Sequence, residues 1–218
     1  MEILLLKINL NSILLAFAIP AILYIALIHK LPFTGDFAIK AFPILLLAVA
    51  SWLFIPGLEG KLLAVGFVLS SGGDVSLSFE GDKFFILGLG CFLLAHIVYI
   101  VTFAQNYAFS PGQLPILIAF AVFAIGMAIV LYPKLGDMRL PVFIYISVIL
   151  GMGLFATMWK GPAPTLLLIG ALIFMLSDSM IAIDRFLKPL SWSKYFIMTT
   201  NYAGQFLIFT AFLPKGTV

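Results

Sequence analysis

Charge is what this sequence has least of. Acidic and basic residues together make up 10% of the 218, against 63% hydrophobic residues and a mean hydropathy of +1.21. That balance excludes an ordinary soluble domain and defines a polytopic membrane protein, with the lipid bilayer as its partner. The net charge is only +3 and the basic residues stand singly, so no nucleic-acid partner is expected. Cysteine is nearly absent. Cys91 alone cannot close an intrachain disulfide, and among apolar neighbours it reads as a buried, inert thiol. There are two histidines, and neither HExxH nor GxSxG occurs, so metal-assisted hydrolysis and a serine nucleophile lack support. No metal or cofactor is expected. The amino-terminal stretch lacks a basic leader region and a cleavage site, and its apolar run is too long for a signal-peptide core. It reads as a retained first span.

What is present is a series of apolar stretches. A hydrocarbon core about 30 Å thick takes about 20 apolar residues in a helix. Such stretches fall at Ile8 to Ile28, Lys40 to Phe54, Lys61 to Phe79, Phe84 to Phe103, Leu114 to Tyr132, Leu140 to Met158, Pro164 to Ile183 and Lys194 to Phe212, the second being the shortest. The expected fold is all-α: a bundle of eight transmembrane helices forming a single membrane domain over residues 1–218. Connections such as "PGLEG" and "EGDK" are short, which makes successive helices antiparallel neighbours. Lys30, Lys40, Lys83, Lys134, Arg139, Arg185, Lys188 and Lys194 fall on one side of such a bundle, and Lys7, Lys61, Lys160 and Lys215 on the other. The excess of eight to four puts the first set in the cytoplasm and both termini outside.

An ionisable residue inside a span costs several kcal/mol unless it is paired or faces a cavity, so each one is a candidate for function. Asp74 lies in the third stretch, His96 in the fourth and Asp178 in the seventh. Lys40 opens the second and Arg185 closes the seventh, while Tyr99, Tyr145, Tyr202 and Gln205 supply neutral hydrogen-bonding groups. His96 and Tyr99 are three apart, as are Tyr202 and Gln205, so each pair shares a helix face. Asp178 and Arg185 are two turns apart on one stripe, and Ser70, Ser71 and Ser78 offer hydroxyls on the face of Asp74. At 1.5 Å per residue each aspartate lies roughly 9 Å from the end of its span on the basic-loop side. A site opening toward the cytoplasm follows. The loop acids Asp36, Glu59, Glu80, Asp82 and Asp137 read as solvated, and Trp52, Trp159 and Trp192 as interface anchors.

The same residues suggest an internal repeat. Asp178 follows Asp74 by 104 positions, Tyr145 follows Lys40 by 105, and Tyr202/Gln205 follow His96/Tyr99 by 106. Residues 105–218 then read as a diverged, parallel copy of 1–104, with the two aspartates facing each other across one cavity.

Two carboxyl groups in different surroundings suffice for general acid/base catalysis. The less solvated one stays protonated and donates, and the one near a cation stays ionised and accepts. Asp178, with Arg185 on its stripe, is the choice for the ionised partner. The bland alternative pairs Asp74 with Lys40 and Asp178 with Arg185 as ion pairs that pin helices together. A proton-coupled transporter or lipid-binding membrane protein using the same aspartates is the competing functional class.

"GGDVSLSF", "GLGCFLLAHIVYIVTF", "PVFIYISVILGM", "GALIFMLSDSMIAIDRF" and "TTNYAGQFLI" together resemble the YhhN-type lysoplasmalogenase family of integral membrane proteins, from about Lys40 to Ile208. The resemblance implies hydrolysis of the vinyl ether bond of a lysophospholipid substrate, a lysoplasmalogen, to a fatty aldehyde and glycerophosphoethanolamine or glycerophosphocholine. It puts the acidic catalytic pair on Asp74 and Asp178. The substrate-binding positions it implies are Lys40, His96, Tyr99, Tyr145, Arg185, Tyr202 and Gln205. The chain departs from the pattern in the spaced Lys40 and Pro43 of "KAFP", in Asn201 where a second tyrosine is common, and in Asp184 beside Arg185.

Overall fold

Apolar stretches of about 20 residues, bounded by glycine, proline and charge, fold as helices because only a helix satisfies its own backbone in lipid. The computed structural model describes residues 10–214. It contains eight α-helices: α1 Leu10–Leu27, α2 Asp36–Phe54, α3 Gly57–Ser76, α4 Asp82–Phe103, α5 Leu114–Leu131, α6 Arg139–Met158, α7 Pro164–Phe186 and α8 Ser193–Ala211. Ile8, where the first span was expected to begin, lies outside the described residues.

Among the described residues, five segments are long and apolar enough to cross a membrane: Asp36–Phe54, Asp82–Phe103, Pro111–Lys134, Gly136–Met158 and Pro164–Phe186. The protein is an integral membrane protein. The other helices are α1, whose apolar part is shorter, together with α3 and α8. The last two are 20 and 19 residues long, but serines, glycines and Asp74 dilute one, and threonines, Asn201 and Gln205 dilute the other. Bulky apolar residues face outward, such as Leu140, Ile129 and Val122.

The second helix is longer than expected. Gly35, at φ 87°, turns the chain, and Asp36 begins α2 one turn ahead of Lys40. A left-handed backbone there suits glycine, which has no Cβ to clash. The acid in the first turn complements the helix dipole. Lys40 therefore sits inside the helix and inside the bundle, at 7% exposure.

Neighbours in sequence pack as neighbours in space except α4 and α5: α4 packs on α6 instead, and α8 returns to meet α1 and α2, closing the bundle. The backbones of α7 and α8 approach closely at Gly170 and Gly204. A Cβ on Gly204 would lie 2.7 Å from the Phe174 amide nitrogen, and one on Gly170 would lie 2.9 Å from the Gly204 carbonyl oxygen. Only small residues let two backbones meet so closely, the usual means of helix association in lipid.

Two expectations change here. Trp159 is not an interface anchor: it is 1% exposed, its ring 4.4 Å from that of Phe212. Trp52 and Trp192 are exposed, as anchors would be. Cys91 is only partly buried.

Candidate active site

The polar side chains gather in two groups, one around each aspartate. Asp74 stands in the last turn of α3, and side chains from α2 and α8 converge on it. Lys40 from α2 donates to the Asp74 carbonyl oxygen at 2.8 Å, and its Nζ lies 3.5 Å from Oδ1. The Asn201 amide from α8 donates to both carboxylate oxygens, at 3.2 and 3.0 Å. Gln205, one turn further along α8, holds Asn201 through its own amide. The Tyr99 hydroxyl of α4 donates to Gln205 Oε1 at 3.3 Å and lies 3.4 Å from Ser70 Oγ. Tyr202 donates to the Lys40 carbonyl oxygen at 2.8 Å. Every group turned toward the Asp74 carboxyl is a donor or a cation. These contacts are those of an ionised carboxylate.

Asp178 has different company. Tyr145 of α6 donates to Oδ2 at 3.0 Å, and His96 Nε2 of α4 lies 3.0 Å from the same oxygen. Phe174 stacks on the imidazole with ring centres 4.9 Å apart. The other oxygen, Oδ1, is buried and has no hydrogen-bond partner. Such a group is costly in a native interior.

Asp178 and Tyr145 line a narrow groove between α4, α5, α6 and α7 with about 50 Å³ of free cavity volume, its lining otherwise almost entirely apolar. Phe123 and Met175 line it too, and both continue into a second apolar void that reaches Pro115 and Ile116 at the far end of α5. The lining matches a hydrocarbon chain in polarity. At its other end, beside Phe85 and Phe186, Arg185 lies over the Phe85 ring, 4.7 Å from its centre.

Several expectations are revised by these contacts. Arg185 does not pair with Asp178: it is partly exposed and holds the exposed Asp82 at the start of α4. Asp82 is thus paired rather than simply solvated, and Asp36 is buried at 9% exposure. The aspartates do not face each other across one cavity, because Asp178 lines the groove and Asp74 does not. Lys40 sits on Asp74, so Asp74 and not Asp178 has the cation. None of the three serines reaches the Asp74 carboxylate. Ser70 meets Tyr99, Ser71 donates to the Ala41 carbonyl oxygen and Ser78 to the Asp74 backbone carbonyl oxygen. Tyr99, Tyr202 and Gln205 are spent on bonds within the protein. Asn201 was not among the candidates, although it lies one turn before Gln205 and 105 positions after His96.

Fold and site together define an integral membrane protein with buried acids, one of them on the wall of an apolar groove. The model of the YhhN family matches residues 35–212, and the chain belongs to that family. It is 37% identical over 174 residues to human "Lysoplasmalogenase TMEM86B", covering 78% of this chain and 72% of that protein. It is 32% identical over 188 residues to a Mycobacterium bovis protein named "Lysoplasmalogenase", covering 80% and 68%. Bovine "Lysoplasmalogenase TMEM86A" is 32% identical over 158 residues, covering 66% and 62%. No solved structure matches the chain.

Proposed function

We propose that the protein is a lysoplasmalogenase that hydrolyses the vinyl ether bond of a single-chain ether phospholipid, releasing a fatty aldehyde and the glycerophospho-headgroup. The observation that carries this reading is the unpartnered Oδ1 of Asp178 on the wall of an apolar groove. A vinyl ether is cleaved by protonating the carbon remote from oxygen, and that needs one acid beside a bound hydrocarbon chain.

The alkyl chain lies along α5, past Phe123 and Met175. Asp178 donates its proton to the vinyl carbon, and an oxocarbenium ion forms next to the new carboxylate. That carboxylate stabilises the cation and then takes a proton from the water that adds to it. The resulting hemiacetal collapses to aldehyde and alcohol. Tyr145 steadies the anionic form of Asp178 through Oδ2. Asp74, kept ionised by Lys40 and Asn201, favours the cation through space, where low dielectric strengthens the interaction. Lys40 is committed to Asp74, so the substrate phosphate falls to Arg185. Seven residues separate Arg185 from Asp178, about 10 Å along the helix, a distance the glycerol and the arginine side chain bridge. The groove then opens at the side where Arg185 and Lys188 lie, the cytoplasmic side by the excess of basic residues.

The test is aldehyde release from a lysoplasmalogen by the purified protein, beside Asp178→Asn and a saturated ether control. Aldehyde from the vinyl ether alone, lost in the variant, is the expected result. No aldehyde from folded protein would return the aspartates to proton-coupled transport.

A further inference from the structure

Charge is scarce in this chain, yet a pair of opposite charges stands at the end of the groove. Arg185, in the last turn of α7, reaches across to α4 and donates to Asp82 Oδ1, and its guanidinium lies 4.7 Å from the centre of the Phe85 ring. Phe85, three residues after Asp82, meets Phe186 with ring centres 5.8 Å apart, and both rings line the groove. The pair therefore rests on the groove wall on one side and opens to solvent on the other. The Asp82 side chain is 85% exposed and that of Arg185 41%. Asp184, the acid beside Arg185, is turned to the Leu190 amide instead. Among the described residues, Asp82 is the sole ion-pair partner of Arg185. An exposed pair of this kind adds little to stability and exchanges partners readily.

A single-chain phospholipid brings to this place a phosphodiester with one negative charge, and beyond it the headgroup alcohol. Guanidinium binds phosphate through the same fork of N–H donors that it turns to a carboxylate. A phosphate on Arg185 takes the place of the Asp82 carboxylate, and two anions then compete for one cation. If the headgroup ends in an ammonium, two carbons beyond the phosphate oxygen, the displaced carboxylate gains a cation of its own. One ion pair becomes two, and no charge is left unmatched. If the headgroup ends in a hydroxyl, the carboxylate faces the phosphate with nothing to offset the repulsion.

We infer that Asp82 is a specificity-determining residue for the headgroup: it pairs with the ammonium of a zwitterionic lysophospholipid while Arg185 holds the phosphate. The inference rests on the assignment of the phosphate to Arg185 under the proposed function. The head of α4 and the end of α7 then select the lipid by its two charges, and Asp178, seven residues before Arg185, meets its chain.

Two lysoplasmalogens that differ in one group, with ethanolamine or glycerol esterified to the same phosphate, test this in the aldehyde assay. Wild-type protein should favour the ethanolamine lipid by about 5-fold in kcat/KM, the difference lying in KM, and Asp82→Asn should bring the ratio to about 1. The Asp82 side chain is mostly exposed, so that variant strands no buried group. Glu80→Gln removes another exposed acid of the same loop and should keep the wild-type ratio. Were Asp82 only a rival of the phosphate for Arg185, Asp82→Asn would lower KM for both lipids alike. An unchanged ratio in Asp82→Asn thus overturns the inference, as does a wild-type protein without preference or an equal fall in Glu80→Gln. If wild-type protein releases no aldehyde from either lipid, the proposed function fails, and binding of the two saturated ether analogues decides the inference separately. Tighter binding of the ethanolamine analogue, lost in Asp82→Asn, sustains it; equal binding of the two by wild-type protein overturns it.

Discussion

Tyr145→Phe removes one hydroxyl and little else. The ring stays as a wall of the groove, and the lost bond is the one to Asp178 Oδ2 at 3.0 Å. A hydrogen bond between neutral partners contributes about 1 kcal/mol, and one to a charged group about 1.5–3 kcal/mol. If Asp178 is a neutral acid before proton transfer and a carboxylate after it, the bond strengthens as the transition state forms. The difference, about 1–2 kcal/mol, is about 5- to 30-fold in rate at 1.36 kcal/mol per decade. The variant should therefore show kcat reduced by about that factor, with KM little altered because the groove keeps its shape. Steady-state aldehyde release from mixed micelles, with substrate varied at fixed detergent, separates the two constants. An unchanged kcat would mean that Asp178 does not become anionic in the rate-limiting step, and the acid role would have to be withdrawn. A raised KM at constant kcat would instead make Tyr145 a lipid contact only.

Lys40→Met strands the buried Asp74 carboxylate and should cost about 3–5 kcal/mol, read by denaturant unfolding in detergent; Lys40→Met with Asp74→Leu should recover most of that loss. An additive double variant would show that the pair is not coupled. Arg185→Ala should raise KM for the phospholipid yet change stability by less than about 1 kcal/mol, because its pair with Asp82 is solvent-exposed. Gly204→Ala forces a methyl group against the Phe174 backbone and should destabilise the protein by about 1–3 kcal/mol, whereas Gly90→Ala, with nothing within 4 Å, should not. Equal melting temperatures for those two variants would contradict the close packing of α7 on α8.

Hydropathy located all eight helices because each is an apolar run closed by Pro, Gly or charge. It put the start of α2 at Lys40 and missed the turn before it, since Gly35 and Asp36 act through backbone geometry and not through apolarity. The ionisable residues within spans were legible for the same reason that makes them rare: each is expensive in lipid. What spacing could not supply was the partner. Arg185 lies on the stripe of Asp178, but a helix face is wide and a long side chain at its end reaches outward, where Asp82 waits on another helix. Asn201, uncharged and one turn from Gln205, carried no cost signal at all. Trp159 looked like an interface residue by its place at a span end, yet the chain folds it inward over Phe212.

The two aspartates show how little sequence is needed to set two carboxyl groups apart. Both are buried, at 2% and 4% exposure, Asp74 in the last turn of α3 and Asp178 about two-thirds of the way along α7. Burial alone would treat them alike, penalising the ionised form of each. The neighbours make the distinction. An amide donates to both carboxylate oxygens of Asp74 and a lysine ammonium lies 3.5 Å from one of them, so the ionised form there is met by hydrogen bonds and a positive charge. At Asp178 a phenol donates to one oxygen, an imidazole nitrogen lies 3.0 Å from that same oxygen, and the other oxygen has no partner. Exchange of these neighbours is thus a stronger test of the roles than removal of either aspartate. His96→Asn should draw Asp178 toward the behaviour of Asp74, silencing aldehyde release while the carboxyl stays in place. Retained turnover in that variant would mean that the groove, and not the imidazole, determines the state of Asp178.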